Sequence, residues 1–215
     1  MNMVDTFDQL DNVAQICRKC PTITLRRAYV RALREWCQQT QWLRTNIDGQ
    51  VTTVSRQYSL GDDPYVEIIG IQAMNGSQPA SQGIQFWPIV TSDSGQWDPN
   101  MNPGMPVRFQ YIPEAQFSVD PYPFQTYGIT ITLILQPKKG AVMIPAAPLV
   151  KYSPQIEAGA LSYLMSLTGQ PWSNPVESLR RDKEFRSGIS NGKAEVAKNF
   201  NVGAVRARQR QFIVS

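Results

Sequence analysis

The hydrophobic period changes twice along this chain. Apolar side chains recur every three to four positions over residues 25 to 43, every second position through much of 47 to 135, and every three to four again over 156 to 167. A period near 3.6 builds one apolar stripe on a helix and a period of 2 builds one apolar face on a strand. Strands gathered in one block between helical ends, rather than alternating with helices, argue for an α+β fold and against a parallel βαβ sheet. We therefore expect a helical module made by both chain ends, residues 1–47 and 151–203. Residues 48–150 would form an inserted antiparallel β-sandwich or barrel, and 204–215 an extended C-terminal arm.

Each segment carries local signals. Val4, Phe7, Leu10, Val13 (or Ala14) and Cys17 are spaced for a short amphipathic helix. After Cys20-Pro21, with Thr22 or Thr24 as N-cap, Leu25, Tyr29, Ala32, Leu33, Trp36, Cys37 and Leu43 make a wide stripe, with Arg27, Arg31 and Arg34 on another face. The runs VTTVSRQY, VEIIGIQAM, VRFQYI, FSVD and GITITLIL are β-branched and aromatic and are separated by Gly, Pro, Asp and Asn clusters, as strands joined by turns are. In the last of them Ile129, Ile131 and Leu133 alternate with Thr130, Thr132 and Ile134, which suits one buried and one partly covered face. Residues 91 to 106 read as a long exposed loop.

Helical signals return at Ser153, an N-cap before Pro154 at the first helical position, with Ile156, Ala160, Tyr163, Leu164 and Leu167 as the apolar face. Gly169 supplies a left-handed residue after the helix and Pro171 prevents continuation. Asn174-Pro175-Val176-Glu177 opens the last helix, its Glu able to reach back to the cap, and Leu179, Phe185, Ile189, Val196 and Phe200 continue a stripe. Gly188 and Gly192 inside it are either a weak spot near residue 191 or a place of close backbone approach, which makes them candidates for subunit packing.

Composition removes several chemistries. The chain has no histidine, so it has no Ser-His-Asp or Cys-His catalytic pair and no histidine-ligated metal. Its three cysteines, Cys17, Cys20 and Cys37, cannot close a disulfide framework and suit a reducing cell. Cys17-Arg-Lys-Cys20 has the form of half a zinc site, but one further thiol cannot complete four soft ligands, so buried or idle thiols are expected and no metal or cofactor. No apolar run approaches the roughly 18 residues of a membrane helix, and the acidic start MNMVDTFDQL is unlike a signal peptide, so the mature chain is expected to begin at or near residue 1. Net charge is +2 over residues 1 to 50, −3 over 51 to 170 and +5 over 171 to 215. The basic residues of the last helix are interspersed with Glu177, Asp182, Glu184 and Glu195, the pattern of a solvated helix surface rather than a nucleic-acid stripe.

One resemblance covers about residues 20 to 200. A Cys-Pro segment, LRRAYVRALREWCQQTQWLR with Trp36, Cys37, Thr40 and Trp42, a β-rich middle closing on ITLILQPKKG, YSPQIEAGALSYLMSLTGQPWSNP, and a last helix with EFRSGISNGKAEV follow in order. This combination resembles the head-to-tail connector, or adaptor, proteins of tailed bacteriophages. The resemblance implies a structural virion protein made in a bacterial host and placed at the head-to-tail junction. It implies a homo-oligomeric ring, typically dodecameric, below the portal protein, a downstream tail or nozzle protein on the other side, and DNA passing through without specific binding. It implies no enzyme activity. On this reading Arg206, Arg208, Arg210, Phe212 and Ile213 in the arm are the portal-facing anchors.

Rival readings rest on other residues. Trp87, Trp97 and Tyr122 in the turn-rich middle would suit a carbohydrate-binding β-sandwich. A glycosidase needs only a carboxylate pair, available from Asp62, Asp63, Asp93, Asp98 or Glu114, although Gly-Asp-Asp-Pro is also a turn former. A tail-tube or decoration protein would share the β character but not the helical ends.

Overall fold

The N-terminal residues do not form the single helix that their spacing suggests. In the computed structural model, which describes residues 2–52, 57–77, 84–88, 104, 106–121 and 123–198, strand β1 (Met3–Asp5) comes first, then a 3₁₀ turn (Phe7–Gln9) and a short helix α1 (Asp11–Ile16). Helix α2 (Thr22–Thr40) leads into strands β2 (Arg44–Val51), β3 (Gln57–Ser59), β4 (Val66–Ser77) and β5 (Ile84–Pro88). Strands β6 (Arg108–Ile112), β7 (Gln116–Asp120), β8 (Tyr127–Pro137) and β9 (Met143–Pro145) follow, and helices α3 (Ala147–Ser166) and α4 (Pro175–Ala197) close the described chain. The fold is α+β.

Backbone pairing explains the first difference. Val4 lies opposite Ile144 in an antiparallel β1–β9 pair. The Thr6 hydroxyl donates to the Val142 carbonyl at 2.6 Å, and the Asp5 carboxylate takes the Phe7 N–H at 2.9 Å. Those bonds hold residues 3 to 5 extended, and only Leu10, Val13 and Cys17 of the expected stripe are buried. The chain start is thereby stitched to the strand that precedes α3.

Helix α2 forms where its stripe predicts, although Pro21 rather than a threonine occupies its N-cap position. It ends at Thr40, whose hydroxyl bonds back to the Trp36 carbonyl, and left-handed Gln41 turns the chain out. Leu43 is buried beyond the helix, and its carbonyl accepts from the Leu135 N–H. Trp36 is fully buried, with the Tyr152 ring 4.8 Å and the Trp42 ring 5.9 Å away. Helices from the two halves of the helical module thus share one core.

Helix α3 begins at Ala147, six residues before the expected Ser153 cap. Pro148 fills the first-turn position where a missing N–H is harmless, so Pro154 lies inside the helix, and the Ser153 hydroxyl bonds to Glu157. Gly169 does adopt the left-handed conformation, at φ 76°. Asn174 caps α4 as expected, accepting the Glu177 N–H, but the Glu177 side chain turns to Arg180 and Arg181 instead of back to the cap.

Helix α4 runs without a break through Gly188 and Gly192. A Cβ on Gly188 would lie 2.5 Å from Gln155 Cβ on α3, and one on Gly192 would lie 2.8 Å from Thr40 Cγ2 on α2. Their close approach is made within the chain, to α3 for Gly188 and to α2 for Gly192. Gly159 answers them from α3, where the Phe185 ring leaves no room for a Cβ at 2.7 Å. Leu179, expected on the buried stripe, is exposed, while Phe185 and Ile189 are buried.

Strands β2 to β8 form one sheet in the order β2-β8-β4-β5-β6-β7-β3. Every pair is antiparallel except β5–β6, which is parallel; β5 is also a strand that sequence reading did not separate. Register shifts in β4 between Ile68 and Gly70 and between Ile71 and Ala73 add local twist. The sheet folds over, so that the Tyr111 hydroxyl on β6 reaches the Ile68 carbonyl on β4 at 2.8 Å. Ile129, Ile131, Leu133 and Leu135 of β8 are buried on the inner face. On the other face Ile134 and Gln136 are covered, whereas Thr130 and Thr132 stay open and bond to Asp48 and Asn46.

Helices and sheet are joined at Arg34. Its guanidinium, expected on a polar face, donates to Glu67 on β4 at 2.7 Å and to the Pro137 carbonyl at the end of β8. Gln136 shares the same Glu67 oxygen. The pair is only partly exposed, and charge-assisted bonds of this kind are among the stronger polar contacts.

Candidate functional site

Two features of the surface are built by the fold rather than by any one segment. The first is a cleft of about 820 Å³ at the end of the sheet nearest the helices. Thr45 and Ile47 of edge strand β2 line one side, and Ser59, Leu60 and Gly61, at and after edge strand β3, line another. Ile68, Leu133 and Leu135 form an apolar floor. The edges approach at their far end, where the Tyr58 hydroxyl contacts both the N–H and the carbonyl of Thr52 at 3.1 and 2.9 Å.

The cleft rim is acidic. Asp62, Asp63, Glu67 and Glu114 border it together with Lys138. Asp62 pairs with Lys138 at 2.6 Å, and Asp63 takes the N–H groups of Tyr65 and Val66 at 2.8 and 3.1 Å. Glu67 is held by Arg34. Glu114 sits at the β6–β7 turn with a positive φ and makes no hydrogen bond or ion pair among the described residues. Three of the five carboxylates named from sequence therefore meet at one place, while Asp93 and Asp98 lie outside the described residues. Asp63 uses its charge to organise a turn.

The second feature is the α3–α4 hairpin. Its inner surface is closed by glycine contacts, but Val150 is 88% exposed near one end, and Val176 and Leu179 are 81% and 67% exposed at the other. Ser178 bonds to the Ser162 carbonyl, so the two groups stand about twelve residues of α3 apart, roughly 18 Å at 1.5 Å per residue. Between them the charged residues mostly satisfy one another. Arg180 and Arg181 bracket Glu177 and Glu184, and Arg186 pairs with Asp182. The Arg180 hydrogen bond, with the charges of Arg180 and Arg181, holds the Glu177 carboxyl at about 2. On α2, Arg31 lies over the Tyr163 ring at 4.2 Å.

At the C-terminal end of α4, Glu195 accepts from Lys151 at 2.8 Å and from the Tyr152 hydroxyl at 2.6 Å. Burial opposes its charge, but hydrogen bonds from Lys151, Tyr152 and Trp42 prevail and hold its carboxyl below the ordinary range. The same surroundings, burial first and then Glu195, push the Tyr152 hydroxyl up.

The cysteines are packing residues in this fold. Cys17 and Cys37 are buried and Cys20 is half-buried. Burial, with Cys20 adding to it, pushes the Cys17 thiol up to about 11, and burial also raises the other two. Thiols so raised are poor nucleophiles at neutral pH. Among the described residues no helix is long and apolar enough to cross a membrane.

The arm residues Arg206, Arg208, Arg210, Phe212 and Ile213 lie outside the described residues, as do Trp97 and Tyr122 and the side chain of Trp87. Arg34, Gly159 and the exposed Val150 and Val176 carried no sequence signal that set them apart. No protein-family model matches the chain, and no curated protein matches it.

Proposed function

We propose that the chain is a structural virion protein, a head-to-tail adaptor that forms a ring below the portal and leaves a channel for DNA. The observation that carries this reading is the helical scaffold closed by both chain ends, which exposes apolar side chains at two separate places on one hairpin. A ring is made of heterologous contacts, in which one patch of a subunit meets a different patch of the next. Val150 at one end of the hairpin and Val176 with Leu179 at the other supply two such patches. The order of motifs that resembles adaptor proteins supports the same assignment, with residues 204–215 as the segment that engages the portal.

Two measurements test it. The mass of the purified protein should rise to that of a closed ring in the presence of portal, and Val176→Asp with Leu179→Asp should block the ring while leaving the monomer folded. Deleting residues 204–215 should leave a folded protein that no longer binds portal; unchanged ring formation in the first case or unchanged binding in the second sinks the reading.

The acidic cleft favours one other reading, glycoside hydrolysis on a carboxylate pair. That reading requires turnover of an oligosaccharide panel that is lost in Glu114→Gln.

A further inference from the structure

We propose that the cleft at the open end of the sheet is a docking groove for this chain's own C-terminal arm, residues 204–215. The inference concerns the free subunit, before the arm engages any portal, so it can fail or stand independently of the adaptor assignment.

Position is the first argument. Glu195, in the last turn of α4, is bonded to Lys151 and Tyr152, and the Tyr152 ring lies 6.4 Å from Trp42. Three residues beyond Trp42, Thr45 lines the cleft. Helix α4 therefore ends on the side of the helical module where the chain leads into β2, the strand that carries Thr45 and Ile47 to the cleft. Residues 199–203 can bridge roughly 17 Å when extended, at about 3.3–3.6 Å per residue. A partner tethered by so short a linker is present at millimolar effective concentration, which favours the arm of the same chain over that of a second copy.

Chemistry is the second. Residues 204–215 carry Arg206, Arg208 and Arg210 and no acidic residue. With Lys138 on Asp62 and Arg34 on Glu67, the rim still holds Asp63 and Glu114 without a cationic partner among the described residues. Arginines at every second position would share one face of an extended arm and reach those rim carboxylates. Phe212 and Val214, which continue that face, would then meet the floor of Ile68, Leu133 and Leu135 beside Leu60. The volume of about 820 Å³ lies within the roughly 300–1,000 Å³ of sites that enclose a compact ligand.

The test is photo-crosslinking of the full chain with Phe212→p-benzoylphenylalanine, using a mixture of ¹⁴N- and ¹⁵N-labelled protein. Docking in the same chain gives crosslinks to peptides containing Leu60, Ile68, Leu133 or Leu135, each of a single isotopic composition. Mixed-isotope crosslinks place the arm on a second copy and overturn the proposal, as do crosslinks confined to other surfaces or none at all. Glu114→Lys should lower the yield about two- to fivefold, the effect of one exposed ion pair. Arg206→Glu, Arg208→Glu and Arg210→Glu together should lower it roughly tenfold or more by the same rule. Adding Arg208→Glu to Glu114→Lys should recover yield. A yield indifferent to all of these charges would also overturn the proposal.

Discussion

The helical module and the folded sheet bury apolar surface in different ways. Between α3 and α4 the chain has removed side chains to bring backbones together, with Gly159 under Phe185 and Gly188 against Gln155, and Gly192 does the same against α2. In the sheet, Leu133 and Leu135 of β8 are as buried as Tyr127 and Ile129, yet they alone of the four border a cleft. Tight packing means that any added volume displaces a neighbour. An open rim tolerates change in the monomer and leaves surface for another segment to cover. The molecule is closely packed where helices α2, α3 and α4 meet and open at the cleft.

Cavity formation should separate the two regions most strongly. Leu164→Ala, at a fully buried position of α3, should cost about 4–5 kcal/mol, whereas Leu133→Ala on the cleft floor should cost nearer ~2 kcal/mol, the two ends of the range for such truncations. Denaturant midpoints measure both; equal losses would show the cleft floor to be as tightly packed as the helices.

Overpacking comes next. Gly192→Ala should destabilise by about 1–3 kcal/mol because the new methyl meets Thr40 and Trp36, both on another helix. Gly61→Ala, where no atom lies within 4 Å of the new Cβ, would be strained only by its φ of 79°. A larger loss at Gly61 than at Gly192 would contradict the close-packed module.

Acid should weaken the module through Glu195. Its folded pKa is lowered, so its contribution is complete above the ordinary carboxylate value of about 4.3 and is lost as pH falls through the folded value. Thermal unfolding followed between pH 6 and about 3 should therefore fall less steeply in Glu195→Gln than in the parent chain. An unchanged slope would remove Glu195 from the account. The smallest effect belongs to the rim: Lys138→Ala should change stability by about 0–1 kcal/mol, since its partner Asp62 is largely exposed.

Much of this architecture was legible before any coordinates. Helix α2, the glycine at 169, the Asn174 cap and the alternation in β8 follow from local rules, because each depends on neighbours within a few residues. The start of α3 was misplaced because Pro148 and Pro154 offer the same local signal and only the β1–β9 pairing selects the first. The cleft was half visible: Asp62, Asp63 and Glu114 could be named, but nothing in their spacing placed them together or supplied Glu67.

By itself, then, the order of residues determined the helix, sheet, helix plan and excluded histidine chemistry, since period and composition are properties of the string. Tertiary structure decided what the glycines of α4 press against, which leucine of the last stripe faces out, and that Arg34 ties helix to sheet. Those outcomes depend on contacts between residues tens to more than a hundred positions apart, such as Gly192 with Thr40, and local spacing carries no information about which distant surface will arrive.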